Sequence, residues 1–389
     1  MSYDFDTPID RRGTDSYKWE IAEDELPMWV ADMDFAAAPE IRAALADRFA
    51  HGVFGYNTVP DAFFDAVIDW WRDRHGYTME PEQLMFCTGV VPAISSTVRK
   101  LTAVGDNVLI QSPVYNIFYN SILNNARTVL SSDLVYDGNT YHIDWEDLEA
   151  KLALPRTTLM ILCNPHNPIG KIWSAAELER IGALCARHGV TVLSDEIHCD
   201  VTAPGKSYTP FAAVNECNRQ NSVSCIAPTK CFNLAGLQTS CICAPNPELY
   251  RLVNRAINTD EVAEPNSFAI PAAIAAFRHG GKWLDELREY VEENKRIAAD
   301  FLRERLPMLH LVPAEATYLL WIDCARVCPD SVALTEFIRA RTGLYLSEGA
   351  EYGENGRPFV RMNIACPRTR LQDGLDRFAE GIKLFQQEN

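Results

Sequence analysis

Four short apolar runs most constrain what this chain can fold into: "NVLIQ" from Asn107, "TLMILC" from Thr158, "VTVLSD" from Val190 and "SVSCIA" from Ser222. Each is nearly continuous rather than alternating. Strands read this way when both faces are covered, as in a mostly parallel sheet packed between helices. Between the second and third runs lies "SAAELERIGALCARHG". Ser174 and Glu177 form a capping-box pattern there, Leu178, Ile181 and Cys185 share a face, and Gly189 closes the helix, so the unit reads as a β-α-β crossover. A long helical pattern from about Lys282 to Leu306 carries the chain out of this domain. Beyond it, "YLLWID" and "PFVRMNIA", separated by the helical "SVALTEFIRARTG" and followed by a terminal amphipathic helix, predict a smaller α+β domain. The expected division is 46–285 for the large α/β domain, with 1–45 and 286–389 forming an N-terminal segment and the small domain.

Composition narrows the function. With 47% hydrophobic and 23% charged residues the chain has a globular balance, and its net charge of −17, with no basic stripe, disfavours nucleic acid and anionic membranes as partners. The opening residues are acidic and polar, unlike a secretory signal, and apolar stretches such as "FAIPAAIAAF" are too short to span a bilayer. Several of the twelve cysteines fall inside expected strands or helices, where buried free thiols are common, so a reducing cytoplasm fits best. The pairs Cys241 with Cys243 and Cys324 with Cys328 have no second pair or histidine cluster at zinc-like spacing, and no metal is expected.

The chemistry collects just after the expected strands, and open parallel sheets bind ligands in the crevice beyond the carboxyl ends of their strands. "TGVVPAISS" opens a helix at Gly89, offering backbone N–H groups to an anion such as phosphate. "CNPHNPIG" follows "TLMIL", and "SDEIHCD" follows "VTVL"; read alone, Asp195 also suits a helix cap and His198 a structural histidine. Lys230 follows "SVSCIAPT" and is the only charged side chain between Gln220 and Pro247. A lysine desolvated by apolar neighbours loses part of its preference for the charged form and becomes a nucleophile suited to Schiff-base chemistry. An aspartate and a lysine at adjacent strand ends suit pyridoxal phosphate, with lysine on the aldehyde and aspartate on the pyridinium proton.

On these motifs, together with "LPMWVADMDF" near the start and "VRMNIACPR" near the end, the chain resembles fold-type-I pyridoxal-phosphate enzymes of the class I/II aminotransferase family, and within it the cystathionine β-lyase and cystalysin-type C–S lyase branch. The resemblance implies catalytic roles for Lys230, Asp195 and Tyr115. Lys230 would carry the cofactor, Asp195 would pair with the pyridine nitrogen, and Tyr115 would stack on the ring. Asn167 would bond the phenolic oxygen with His198 close by, while Gly89, Val90 and Thr229 would hold the phosphate. Arg361 would take the substrate's α-carboxylate in a bidentate pair, with Trp29 and Val30 near it. Tyr56 would reach the cofactor phosphate of a neighbouring subunit, which implies a homodimer with shared active sites. Many aminotransferases carry Ser three positions before the lysine and Arg eight after it; Ala227 and Gln238 stand there instead, and the missing Arg is usual in the lyase branch.

The implied reaction is α,β-elimination of L-cystathionine or a related cysteine S-conjugate to a thiol, pyruvate and ammonia. The rivals are an aminotransferase consuming a 2-oxo acid and a cofactor-binding regulator with residual lyase activity. Asp32 and Asp34 are read as surface or capping residues in preference to ligands for a distal ammonium.

Overall fold

The computed structural model describes residues 2–388. Its centre is a seven-stranded sheet of β1 (Leu84–Cys87), β2 (Asn107–Ile110), β3 (Thr128–Ser131), β4 (Thr157–Cys163), β5 (Thr191–Asp195), β6 (Ser222–Ile226) and β7 (Ser240–Cys243), in the order β1-β7-β6-β5-β4-β2-β3. The neighbours from β6 to β3 pair in parallel, and β7 alone runs against both strands beside it.

Period two along each strand explains why these runs are apolar throughout. Val108, Ile110, Leu159, Ile161 and Leu193 pack on one face with helices Val90–Leu101 and Pro247–Thr259; Leu109, Met160, Leu162 and Val192 pack on the other with helix Ala175–Arg187. The last helix starts as its sequence predicts. Ser174 Oγ accepts from the Glu177 N–H at 3.2 Å while the Glu177 carboxylate accepts from the Ser174 N–H at 2.8 Å, and Gly189 leaves the helix at φ +69°.

The predicted long helix runs Gly281–Arg305. After it comes a four-stranded antiparallel sheet of β8 (His310–Leu311), β9 (Leu319–Asp323), β10 (Ser347–Glu348) and β11 (Phe359–Asn363), ordered β8-β9-β11-β10, with helices Ser331–Thr342 and Arg368–Glu388. The N-terminal segment joins this part of the molecule: Leu26–Pro27 pairs in parallel with Leu344–Tyr345, and Asn363 Nδ2 donates to the carbonyls of Val30 and Asp32 at 2.5 and 2.6 Å. No helix among the described residues is long and apolar enough to cross a membrane.

Asp32 and Asp34 are not the surface or capping residues expected. Asp34 is buried, with Arg11 at 2.9 Å, Lys18 at 3.2 Å, Arg370 at 3.3 Å and the Trp19 indole N–H at 3.0 Å, and Asp32 joins it through Arg11 at 2.7 Å. Burial pushes the Asp34 carboxyl up, and the contacts with Lys18, Trp19, Arg370 and Arg11 outweigh it, leaving the group below its ordinary value. Both carboxylates are thereby committed to holding the N-terminal segment.

Candidate active site

The carboxyl ends of β1, β2, β4, β5 and β6 meet around one cavity of about 260 Å³. Thr88–Pro92 enter it after β1, Tyr115 after β2, Asn167 after β4, Asp195 at the end of β5, and Thr229 and Lys230 after β6. Because β7 is reversed, its amino end faces the same crevice and adds Gln238 and Thr239. A larger, shallower cavity of about 770 Å³ beside helix Gly281–Arg305 contains none of these residues.

Where β1 leads into the cavity, Gly89 sits in extended backbone just before helix Val90–Leu101, and a Cβ there would lie 3.2 Å from Pro92 Cδ. The first turn has no acidic side chain, so its unpaired N–H groups face the cavity with their positive end uncompensated.

Lys230 keeps part of its surface open to the cavity, yet its amine is enclosed: burial, helped by the nearby Arg361 charge, pushes it down to about 8. Nζ donates to the Ala31 carbonyl at 2.6 Å, and the fully buried Tyr318 hydroxyl donates to the same oxygen at 3.1 Å. Asp195 shifts the opposite way. Burial, reinforced by the Glu196 charge, raises it to about 7 against the opposing pull of the Ile197 N–H and Lys230. Across the same cavity, burial lowers His198 to about 3, leaving a neutral ring whose Nδ1 has no partner, and burial raises the Tyr115 hydroxyl to about 12. Lys230 and Asp195, displaced in opposite directions by burial until their values converge near neutral pH in one cleft, are the arrangement expected of a reaction centre.

Arg361 lies in β11, between β9 and β10, and is 4% exposed. Among the described residues no carboxylate comes within 4.0 Å of it; Nη1 reaches Asn167 Oδ1 at 3.3 Å, Nη2 reaches the Trp29 carbonyl at 2.8 Å and Ser347 Oγ at 3.4 Å, and Nε has no partner. Its carbon sits 4.8 Å from the centre of the Tyr352 ring. A buried, unneutralised guanidinium is costly unless a ligand brings the opposite charge. Trp29 and Val30 reach this neighbourhood through backbone oxygens, and the Trp29 ring stacks at 4.6 Å on Tyr345 instead of lining the cofactor-sized cavity.

Tyr56 stays away from its own chain's cavity. It is fully exposed, at 102%, in an irregular stretch with Val53 and Phe54 at 63% and 51%. Ala31, Tyr318, Ser347 and Tyr352 were not singled out by sequence: a backbone carbonyl carries no sequence signal, and the other three act through packing set by distant segments. One group of metal-type donors, His75, Cys199 and Asp200, lies within 4.8 Å mutually, with Asp200 Oδ1 already accepting from Trp70 Nε1 and facing His75 Nε2, each at 3.0 Å.

A crevice at parallel strand ends, holding an enclosed amine, a buried carboxyl and an anion-ready helix start, defines a fold-type-I architecture, and the chain belongs to the aminotransferase class I and II family, whose profile matches residues 25–378. It is 42% identical to cystathionine beta-lyase PatB of Bacillus subtilis, over 97% of this chain and 99% of that one, and 34% identical to protein MalY of Escherichia coli, over 98% and 99%. The crystal structure of cystalysin from Treponema denticola, which contains pyridoxal 5'-phosphate, superposes with a TM-score of 0.95 at 31% identity, covering 98% of this chain and 99% of that one.

Proposed function

We propose that this protein is a pyridoxal-phosphate-dependent C–S β-lyase, acting on L-cystathionine or a related cysteine S-conjugate. The observation that carries it is the enclosed Lys230 amine sharing one cavity with buried Asp195, while the buried, carboxylate-free Arg361 touches Asn167 in the wall of that cavity. The lyase names of the PatB and cystalysin-type relatives support the same reading.

The residues present fit the cofactor. Lys230 would hold its aldehyde, Asp195 its ring nitrogen, and Asn167 and His198 the phenolic side. Tyr115 would cover the ring face, and Gly89, Val90 and Thr229 would cradle the phosphate, with Gln238 beside them. When bound, the cofactor supplies an electron sink for the pair left behind as the Cα proton departs.

The chain's own groups do the rest. Arg361 fixes the α-carboxylate by two parallel hydrogen bonds and so orients the Cα–H bond toward Lys230. With its pKa lowered to about 8, the Lys230 amine is free base at neutral pH roughly 300 times more often than an ordinary lysine, which makes it both nucleophile and Cα base. Asp195 is held near neutrality by burial until a cationic ring nitrogen lies against it, and it then keeps that proton in place. The Cα proton taken by Lys230 is returned to the departing sulfur, giving the thiol. Water converts the remaining three-carbon fragment to pyruvate and ammonia, so the sum is thioether amino acid plus water to thiol, pyruvate and ammonia.

The site is completed, in this reading, by a second copy of the chain that covers the exposed Val53–Tyr56 stretch and receives Tyr56 at its own phosphate end. Residues 46–285 form the cofactor-binding unit, and 1–45 with 286–389 form the part that bears Arg361. Twelve free thiols, eleven of them buried, suit the cytoplasm. The test is incubation with L-cystathionine and S-alkyl-L-cysteines, with and without a 2-oxo acid. Pyruvate released independently of the oxo acid supports the lyase; a new amino acid formed only in its presence would show a transaminase instead.

A further inference from the structure

The cavity of about 770 Å³ lies between helix Gly281–Arg305 and β8, an edge strand of the small sheet, and shares no residue with the cofactor-sized cavity. Lys295, Ala299 and Leu302 stand at i, i+4 and i+7, so they form one stripe of that helix, and all three line the cavity. Leu309, Leu311 and Val312 supply the facing apolar wall. The lining cations Arg296 and Arg303 are committed to carboxylates, Glu293 at 2.6 Å and Asp300 at 2.8 Å.

Lys295 is the exception. It is 8% exposed, and its Nζ donates to the Ala314 carbonyl at a long 3.4 Å. Among the described residues its only carboxylate within 4.0 Å is that of exposed Glu292, at 3.9 Å. Lys18, equally enclosed, shows how a buried lysine is otherwise settled: Asp34 lies 3.2 Å and Asp32 3.5 Å from its amine. Ala314 is held back from Lys295 by its own neighbours. The Glu315 and Ala316 N–H groups both donate to the Gly170 carbonyl, at 2.8 and 2.9 Å, and a Cβ on Gly170 would lie 2.5 Å from Ala314 Cβ. Burial pushes the Lys295 amine down to about 8 against the pull of Glu292, so at neutral pH most molecules still carry the charge. An ammonium has three donors, and an enclosed one with a single long bond is costly until a ligand completes it.

We propose that this cavity is a second ligand site, separate from the reaction centre, which takes a monocarboxylate with an apolar tail, the carboxylate on Lys295 and the tail along Leu302, Leu309 and Leu311. The two halves of the site define the class. A carboxylate brings the acceptors and the charge that Lys295 lacks, and an aliphatic tail covers the leucines; a polar dianion would leave that wall uncovered and face Glu289 and Glu292. The volume lies within the range of small-molecule clefts. The inference stands apart from the lyase reading, because no residue of this site takes part in that reaction.

The probe is octanoate, titrated calorimetrically into the pyridoxal-phosphate-loaded protein, with 1-octanol as the tail without the charge and acetate as the charge without the tail. One octanoate per chain is expected, bound at least about tenfold more tightly than either control, and Lys295→Met, which keeps the stem's bulk, should weaken it by about tenfold or more. A second arm needs no variant. Octanoate, and not 1-octanol, should protect Lys295 from acetic anhydride, read by peptide mass spectrometry against the exposed Lys383. No octanoate binding, 1-octanol binding as tightly, or equal acetylation of Lys295 with and without octanoate would overturn the proposal. So would an affinity unchanged in Lys295→Met, which would show the acid bound elsewhere, as on Arg361.

Discussion

At the scale of single residues the account depends on opposite displacements of two groups in one cavity. Lys230 titrates near 8, so below that pH its amine is protonated and cannot attack an aldehyde. Cofactor loading of the cofactor-free protein, followed by absorbance, should therefore slow about tenfold per unit as pH falls below 8 and level off above it; an ordinary lysine would level off only near 10. Lys230→Ala should lower kcat by at least about 10³-fold, because nucleophile and base are lost together. Arg361→Lys keeps the charge and loses the paired donors. It should raise KM on the order of tenfold or more for every amino-acid substrate, with stability changed little.

At the scale of elements, the strands and the residues at their ends were legible in the sequence because burial on both faces leaves unbroken apolar runs, and the motifs follow those runs directly. Direction was not legible: "SCIC" in β7 has the same apolar character as its parallel neighbours, and only its pairing shows that Gln238 enters the crevice from the opposite end. The N-terminal segment was misread for a related reason. Asp34 looks like a surface acid until Arg11 and Lys18 of the N-terminal segment and Arg370 of the last helix are brought to it. Asp34→Ala would leave Lys18 buried with only Asp32 nearby, at 3.5 Å, and should cost about 3–5 kcal/mol in urea unfolding. The turn after β10 is equally constrained: a Cβ on Gly349 would lie 2.2 Å from the Gly356 carbonyl and 2.3 Å from that of Phe359. Gly349→Ala should destabilise by about 1–3 kcal/mol and raise KM, since this turn carries the residues around Arg361.

At the scale of the whole molecule, the large sheet brings the cavity-lining strand ends together and the small sheet delivers Arg361 beside them, with the N-terminal segment spanning both through the Ala31 and Trp29 carbonyls. Val53, Phe54 and Tyr56 are among the exposed apolar residues, and the proposal that a second copy covers them predicts a species of twice 43.7 kDa in sedimentation. Phe54→Asp should shift that species toward monomer and weaken cofactor retention together, because Tyr56 would then no longer reach its neighbour's site. The central claim, that one enclosed amine carries the cofactor, is tested most directly by reducing the holoenzyme with borohydride and mapping the labelled peptide by mass spectrometry. A single pyridoxyl group on Lys230 is the expected result; a label on another lysine, or none on any peptide from a cofactor-saturated sample, would contradict it.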